Sequence, residues 1–239
     1  MTGEDQSAAP DRPIDPGRPG DSARREYERR RQRDDERRRR IFGRYLAPVV
    51  KVVAGERPTT SAWDRGGRGE ARVGRYLTGA VGHIGYVLHD RRIPGSRGNI
   101  DHITLVPSGV WVIDTKQYRG RVQQRDVGGW FSARPTLFVN GRNQTKLIPP
   151  VQGQVARVRA AIGDVDVYGC LCFNDAEWGL LSKPVVIDGI TVTWPRRLAD
   201  ALVRPGPLGH QELKEVSARL ARAFPSYAPG GTSHTPTGA

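Results

Sequence analysis

The stretch Asn99–Arg121, NIDHITLVPSGVWVIDTKQYRGR, holds two apolar runs on either side of Val106-Pro107-Ser108-Gly109. It reads as two antiparallel strands, Ile100–Leu105 and Val110–Lys116, joined by a type I turn with proline second and glycine fourth. With those four residues as the loop, Leu105 faces Val110, Ile103 faces Val112 and Asp101 faces Asp114. Side chains alternate along a strand, so Asp101, Asp114 and Lys116 share one face with those aliphatics. A slip of one residue would carry Asp101 to the other face, so everything that follows depends on this register.

Two carboxylates and an ammonium at one end of an apolar strip suit phosphodiester chemistry. Hard divalent cations prefer carboxylate oxygens, and magnesium is commonly held by one or two carboxylates together with water and phosphate. Such a cation polarises a phosphate, and a nearby lysine orients or deprotonates the attacking water. Asp114-Thr115-Lys116 has the Asp/Glu-x-Lys form, with Asp101 on the preceding strand. Glu212-Leu213-Lys214 has the same form but falls in a helical pattern, where positions i and i+2 do not face each other. A solvated hairpin end closed by a salt bridge is the competing account of the first cluster.

The residues Leu88-His89-Asp90, Gly98-Asn99-Ile100-Asp101-His102, Gly109-Val110-Trp111-Val112-Ile113-Asp114-Thr115-Lys116 and Tyr118-Arg119-Gly120 together resemble the nuclease-related domain (NERD) family. That family is grouped with the restriction-endonuclease-like PD-(D/E)xK fold. The resemblance runs from about Gly67 to Val203 and is strongest between Leu88 and Val122. It implies a small mixed sheet flanked by helices, with a site for Mg²⁺ or Mn²⁺ on the central hairpin. It also implies hydrolysis of DNA phosphodiester bonds, with Asp101 and Asp114 as metal ligands and Lys116 acting on water. A Gly-Glu on the family's first helix points to Glu70 as a further catalytic and metal-binding residue. A glutamine on its post-motif helix points to Gln154. Taken from the residues alone, Glu70 is equally an acid favoured in the first turn of a helix, and Gln154 a structural amide. A non-catalytic domain of the same fold, binding nucleic acid or scaffolding a partner, is the alternative to an enzyme.

Of the 239 residues, 38 are Lys or Arg and 25 are Asp or Glu, a net charge of +13. Residues 1–60 hold 15 of the basic and 11 of the acidic side chains, so most of the surplus belongs to the remainder, which favours a polyanionic partner. Only five of the basic residues are lysine, which makes Lys116 more notable. Lysine is also the residue whose pKa can fall far enough for it to serve as a base. Cys170 and Cys172, the only cysteines, point the same way on an apparent strand. They read as buried reduced thiols rather than a disulfide or zinc site, in keeping with the cytoplasm. Neither a secretory signal nor a membrane-length apolar run is visible. Oligomeric state is not legible.

The chain divides into an N-terminal arm (1–60), a domain (61–224) and a tail (225–239). Met1–Asp21 has the composition of a disordered segment. Ser22–Arg40, SARREYERRRQRDDERRRR, is either a solvated helix or a basic arm that touches phosphates. Ile41–Val53 docks on the domain or merely links to it. The domain opens with a helix directing Val73, Tyr76 and Leu77 inward, then a strand at Tyr86–Asp90. The next loop is basic through Arg91, Arg92 and Arg97, which together with Arg119 are candidate nucleic-acid contacts. Arg121–Gln124 and Leu137–Val139 form a second hairpin around Gly128-Gly129-Trp130-Phe131. Pro149 and Pro150 start a helix with Val151, Val155, Val158 and Ile162 inward. Strands at Asp166–Phe173 and Gly189–Trp194 and helices at Pro195–Leu202 and Gln211–Phe224 complete it. The order α-β-β-β-α-β makes the fold class α/β, a restriction-endonuclease-like core with a mixed central sheet and a disordered basic arm.

Overall fold

A computed structural model of the chain describes residues 14–33, 36, 58–128, 134–179 and 183–227, with 58–65 in backbone only. Ile41–Val53, the pair Trp130-Phe131 and the tail beyond residue 227 lie outside the described residues. After a first helix, α1 (residues 21–33), come α2 (Pro58–Val81), β1 (Tyr86–Arg92), β2 (Asn99–Val106) and β3 (Gly109–Gln117). A small unit follows: β4 (Val122–Val127), β5 (Arg134–Val139) and β6 (Arg142–Asn143). The chain continues through α3 (Ile148–Ile162), β7 (Val167–Asn174), β8 (Val185–Ile187), β9 (Ile190–Thr193), α4 (Pro195–Leu202) and α5 (His210–Ala223).

The hairpin forms in the register that its alternation requires: Leu105 pairs with Val110 and Ile103 with Val112. It lies at the heart of a six-stranded sheet ordered β1-β2-β3-β7-β9-β8. β1, β2 and β3 are antiparallel, β3, β7 and β9 are parallel, and β8 returns antiparallel to β9. The sheet is therefore mixed, as expected. Tight loops suffice for the antiparallel pairs, whereas the parallel step from β3 to β7 needs a long crossover. That crossover contains α3 and the three-stranded sheet β4-β5-β6, an insertion within the α-β-β-β-α-β order.

Helices cover both faces of the sheet. Val151, Val155, Val158 and Ile162 of α3, with Leu213, Val216 and Leu220 of α5, pack against Ile103, Leu105, Val110 and Val112. Each such aliphatic side chain contributes about 1.5–3 kcal/mol on burial. Pro149 and Pro150 occupy the first turn of α3, where a missing N–H costs nothing. On the opposite face, Val73, Leu77 and Val81 of α2 and Leu198 and Leu202 of α4 enclose Ile113, Cys170 and Cys172. Both cysteines are buried and free. Tyr76, expected inward, is exposed: the buried stripe of α2 follows four-residue steps through 73, 77 and 81, and Tyr76 falls outside it. No helix among the described residues is long and apolar enough to cross a membrane.

Part of the N-terminal arm lies against the domain. The Pro16 carbonyl accepts a hydrogen bond from His89 N at 2.7 Å, Ile14 packs on the larger apolar cluster, and Ala23 is buried. From the other terminus, the Pro225 carbonyl accepts from Arg92 N at 3.0 Å. The two segments together satisfy edge-strand groups of β1 that would otherwise be open to pairing with another chain.

Candidate functional site

β3 ends between an antiparallel and a parallel neighbour, and its last turn of strand carries Asp114, Thr115 and Lys116. Its pairing with β2 stops at His102–Ile113, and one further step of the same register sets Asp101 opposite Asp114. At that step a side chain replaces the ladder: Asp101 Oδ2 accepts the Thr115 backbone N–H at 2.8 Å. Lys116 Nζ lies 2.5 Å from Asp114 Oδ2. Asp101 is half-buried and Asp114 is 8% exposed, so both carboxylates have lost most of their water.

The charges do not balance. Burial, then the Asp114 charge, raises the Asp101 carboxyl to about 7, although Lys116 and the Thr115 N–H pull the other way. Asp114 is also raised by burial, against the lowering effect of Lys116. Burial alone would lower Lys116, but Asp114 and Asp101 outweigh it and the ammonium is held above its ordinary value. Paired with Asp114 in this way, the Lys116 ammonium is favoured over the free amine.

Glu70 reaches the cluster from α2. It is 6% exposed, its Oε1 accepts Gly20 N–H at 2.9 Å, and its pKa is pushed well above the usual range by burial and then by Asp101 and Asp90. Gln154, from the first half of α3, donates Nε2 to the Asn99 carbonyl at 3.2 Å, leaving Oε1 buried without a hydrogen-bond partner. Asn99 in turn donates Nδ2 to Asp90 Oδ1 at 2.9 Å and to Asp101 Oδ1 at 3.5 Å. Helix α3 is thereby tied to the acid cluster through the first residue of β2.

This arrangement agrees with a match to known proteins: residues 65–174 fit the family model of the nuclease-related domain. Residues 65–174 are thus similar to the NERD family. The family is generally assigned to the PD-(D/E)xK-like superfamily, which makes a nuclease-related function the coarse reading of the domain. Neither curated proteins nor solved structures gave a match.

Within this NERD-like stretch the four expected arginines separate. Arg92, Arg97 and Arg119 are exposed. Arg91 is not: it is 1% exposed, with Nη2 donating to the Asp15 carbonyl, so it braces the N-terminal segment and does not face phosphate. The reason is irregularity in β1. Asp90 sits at φ 49°, a left-handed conformation that interrupts the pairing with β2 between His89–His102 and Arg91–Ile100.

Asp90 itself escaped the sequence reading. Its Oδ2 accepts Ser22 N–H and lies 3.8 Å from Arg25 Nη2, while burial raises its pKa. A histidine pair beneath it also escaped: His89 and His102 meet Nδ1 to Nδ1 at 3.0 Å, and His89 Nε2 lies 3.0 Å from Thr78 Oγ1. Burial, followed by the Arg91 charge, lowers His89 to about 4, and burial holds His102 well below its usual value, so both rings are neutral at pH 7. Asp90, His89 and His102 all belong to the motif stretches that carry the family resemblance, where the sequence alone gives them no role.

The donor set is one a hard cation could use: clustered carboxyl groups whose ionised forms repel one another, and a buried, unpaired amide oxygen on Gln154. Among the described residues, no three His, Cys, Asp or Glu side chains are grouped to hold a metal ion. Asp101 and Asp114 alone would supply the one or two carboxylates that magnesium commonly takes from protein.

Proposed function

We propose that the domain hydrolyses phosphodiester bonds of DNA with the help of Mg²⁺ or Mn²⁺ held by Asp101 and Asp114. One observation carries this reading: two carboxylates share a buried strand end with a single ammonium, leaving repulsion that a divalent cation relieves. When bound, the cation supplies Lewis-acid polarisation of the scissile phosphate. Lys116, a stable ammonium, donates hydrogen bonds to the attacking water or to a phosphate oxygen and stabilises charge that builds there. Glu70 supports the site from α2, and the Gln154 amide orients water or a phosphate oxygen. Arg92, Arg97 and Arg119 contact the backbone of the substrate without reading its sequence. The two buried free thiols suit a reducing cytoplasm.

The 2.5 Å contact between Lys116 and Asp114 favours one competing reading, in which the cluster is a structural ion pair and the domain binds nucleic acid without cutting it. Cleavage assays on single- and double-stranded DNA, with Mg²⁺, Mn²⁺ or chelator, separate the two. Asp114→Asn should abolish cleavage and any cation-induced thermal shift. Lys116→Ala should abolish cleavage and keep the shift. A wild type that neither cuts nor responds to either cation, with Asp114→Asn merely melting lower, would establish the ion-pair reading.

A further inference from the structure

The contacts that close over the acid cluster come from outside the matched domain. Residues 14–33 precede 65–174, yet Gly20 N–H occupies Glu70 Oε1, and Ser22 N–H and the Arg25 guanidinium engage Asp90 Oδ2. The segment fits closely. At Gly17, φ 71°, a Cβ would overlap the His89 carbonyl oxygen. At Gly20, φ 83°, it would lie 2.7 Å from the Gly67 carbonyl oxygen. Both positions demand a residue without a side chain.

What holds the segment is mostly polar. Its apolar contribution is Ile14, Ala23 and Pro19, which sits against Gly74 of α2, whereas its hydrogen bonds join it to Glu70, Asp90, Arg91 and the His89 N–H. A segment fastened to carboxylates by N–H groups and a guanidinium holds Glu70 Oε1 and Asp90 Oδ2 away from a cation at the neighbouring Asp101 and Asp114. Its outer face is basic: Arg24, Arg29, Arg31 and Arg33 are exposed. Arg24 is paired with Asp21 at 3.2 Å and Arg29 with Glu26 at 2.9 Å. Exposed pairs of this kind are weak, and a polyanion that releases counterions exchanges readily with them.

We infer that residues 14–33 form an autoinhibitory strap, which withholds Glu70 and Asp90 from the site until nucleic acid, bound on the arginine face of α1, draws it away. This rests on the metal-dependent reading above. In the strapped state Glu70 has one oxygen committed to Gly20 N–H and is shut from solvent. Release exposes Glu70 and frees its carboxylate beside Asp101 and Asp114.

Manganese affinity, measured by calorimetry on the full chain, tests this without recourse to turnover. Gly17→Val, which removes the strap from its seat, should bind Mn²⁺ at least tenfold more tightly than the wild type. In the wild type, a cleavage-resistant phosphorothioate oligonucleotide should raise Mn²⁺ affinity in the same direction. The converse is a lock: a Cβ on Gly67 would lie 3.0 Å from Ala23 Cβ, so Ala23→Cys with Gly67→Cys is within a small shift of disulfide geometry. The oxidised form should bind Mn²⁺ at least tenfold more weakly than the same protein reduced. The lock keeps the question open to refutation if Gly17→Val fails to fold. Equal affinity in the oxidised and reduced forms overturns the strap as a regulator. Weaker binding by Gly17→Val also overturns it and makes the segment a positioning element, with the metal reading intact. Absence of Mn²⁺ binding in every form removes the metal reading and the strap proposal together.

Discussion

Asp101→Asn offers a quantitative check on the imbalance of charge at the site. The carboxyl is raised from 3.8 to about 7, chiefly by burial and then by Asp114. At 1.36 kcal/mol per pKa unit, that shift represents about 4 kcal/mol of penalty for carrying the charge in the folded state. Part of the penalty belongs to the Asp101–Asp114 pair and not to one residue, and entering water relieves more, so about 2 kcal/mol is the expected gain from Asn. The amide oxygen can still accept the Thr115 N–H, which keeps the hairpin end closed. Because the folded pKa is raised, the contribution to stability is present below the unfolded value near 4 and is lost as pH rises through about 7. The wild type should therefore lose stability between pH 4 and pH 7 through this residue, and Asp101→Asn should not. In chelator at pH 8, a gain of about 2 kcal/mol corresponds to a melting temperature about 4–8 °C higher for a domain of this size. At pH 4 the difference should shrink to a small fraction of that. Melting curves followed by circular dichroism at both pH values suffice. A variant that melts several degrees below the wild type at pH 8 would refute the reasoning and make Asp101 a plain structural acceptor.

Arg91→Ala should cost about 2–3 kcal/mol, since it removes a buried guanidinium and its bond to the Asp15 carbonyl, but should leave the salt dependence of nucleic-acid binding unchanged. Arg97→Ala should do the reverse, lowering the slope of log affinity against log salt by about 1 with no shift in melting temperature. Titrations of a labelled oligonucleotide at several salt concentrations, paired with thermal melts, check both; an Arg91 effect on the slope would return that residue to the binding face. Gln154→Leu should cost about 1 kcal/mol through the lost bond to Asn99 O, and a far larger loss in a denaturant titration would make the amide primarily structural.

Local pattern was enough for the hairpin, its register, the buried stripe of α3 and the reduced cysteines, because each is written in neighbouring residues. Alternation of period two over Ile100–Lys116 leaves one register that buries the aliphatics, and that register carries Asp101 to Asp114. Spacing of four, three and four residues from Val151 to Ile162, behind two prolines, leaves one face for the core. What only the tertiary structure decided is set by contacts across long stretches of chain. Gly20 meets Glu70 over 50 residues, Ser22 meets Asp90 over 68, and Asp15 meets Arg91 over 76. The composition of residues 14–33, polar and arginine-rich, resembles that of a solvated arm because its attachment is made by backbone N–H and C=O groups, which every sequence possesses. The fate of Arg91 likewise turned on a left-handed Asp90, a conformation that the surrounding strand pattern does not announce. Side-chain periodicity records which face of an element is apolar. Which distant backbone groups will satisfy a buried carboxylate depends on how the elements pack, and that is fixed only when the whole chain has folded.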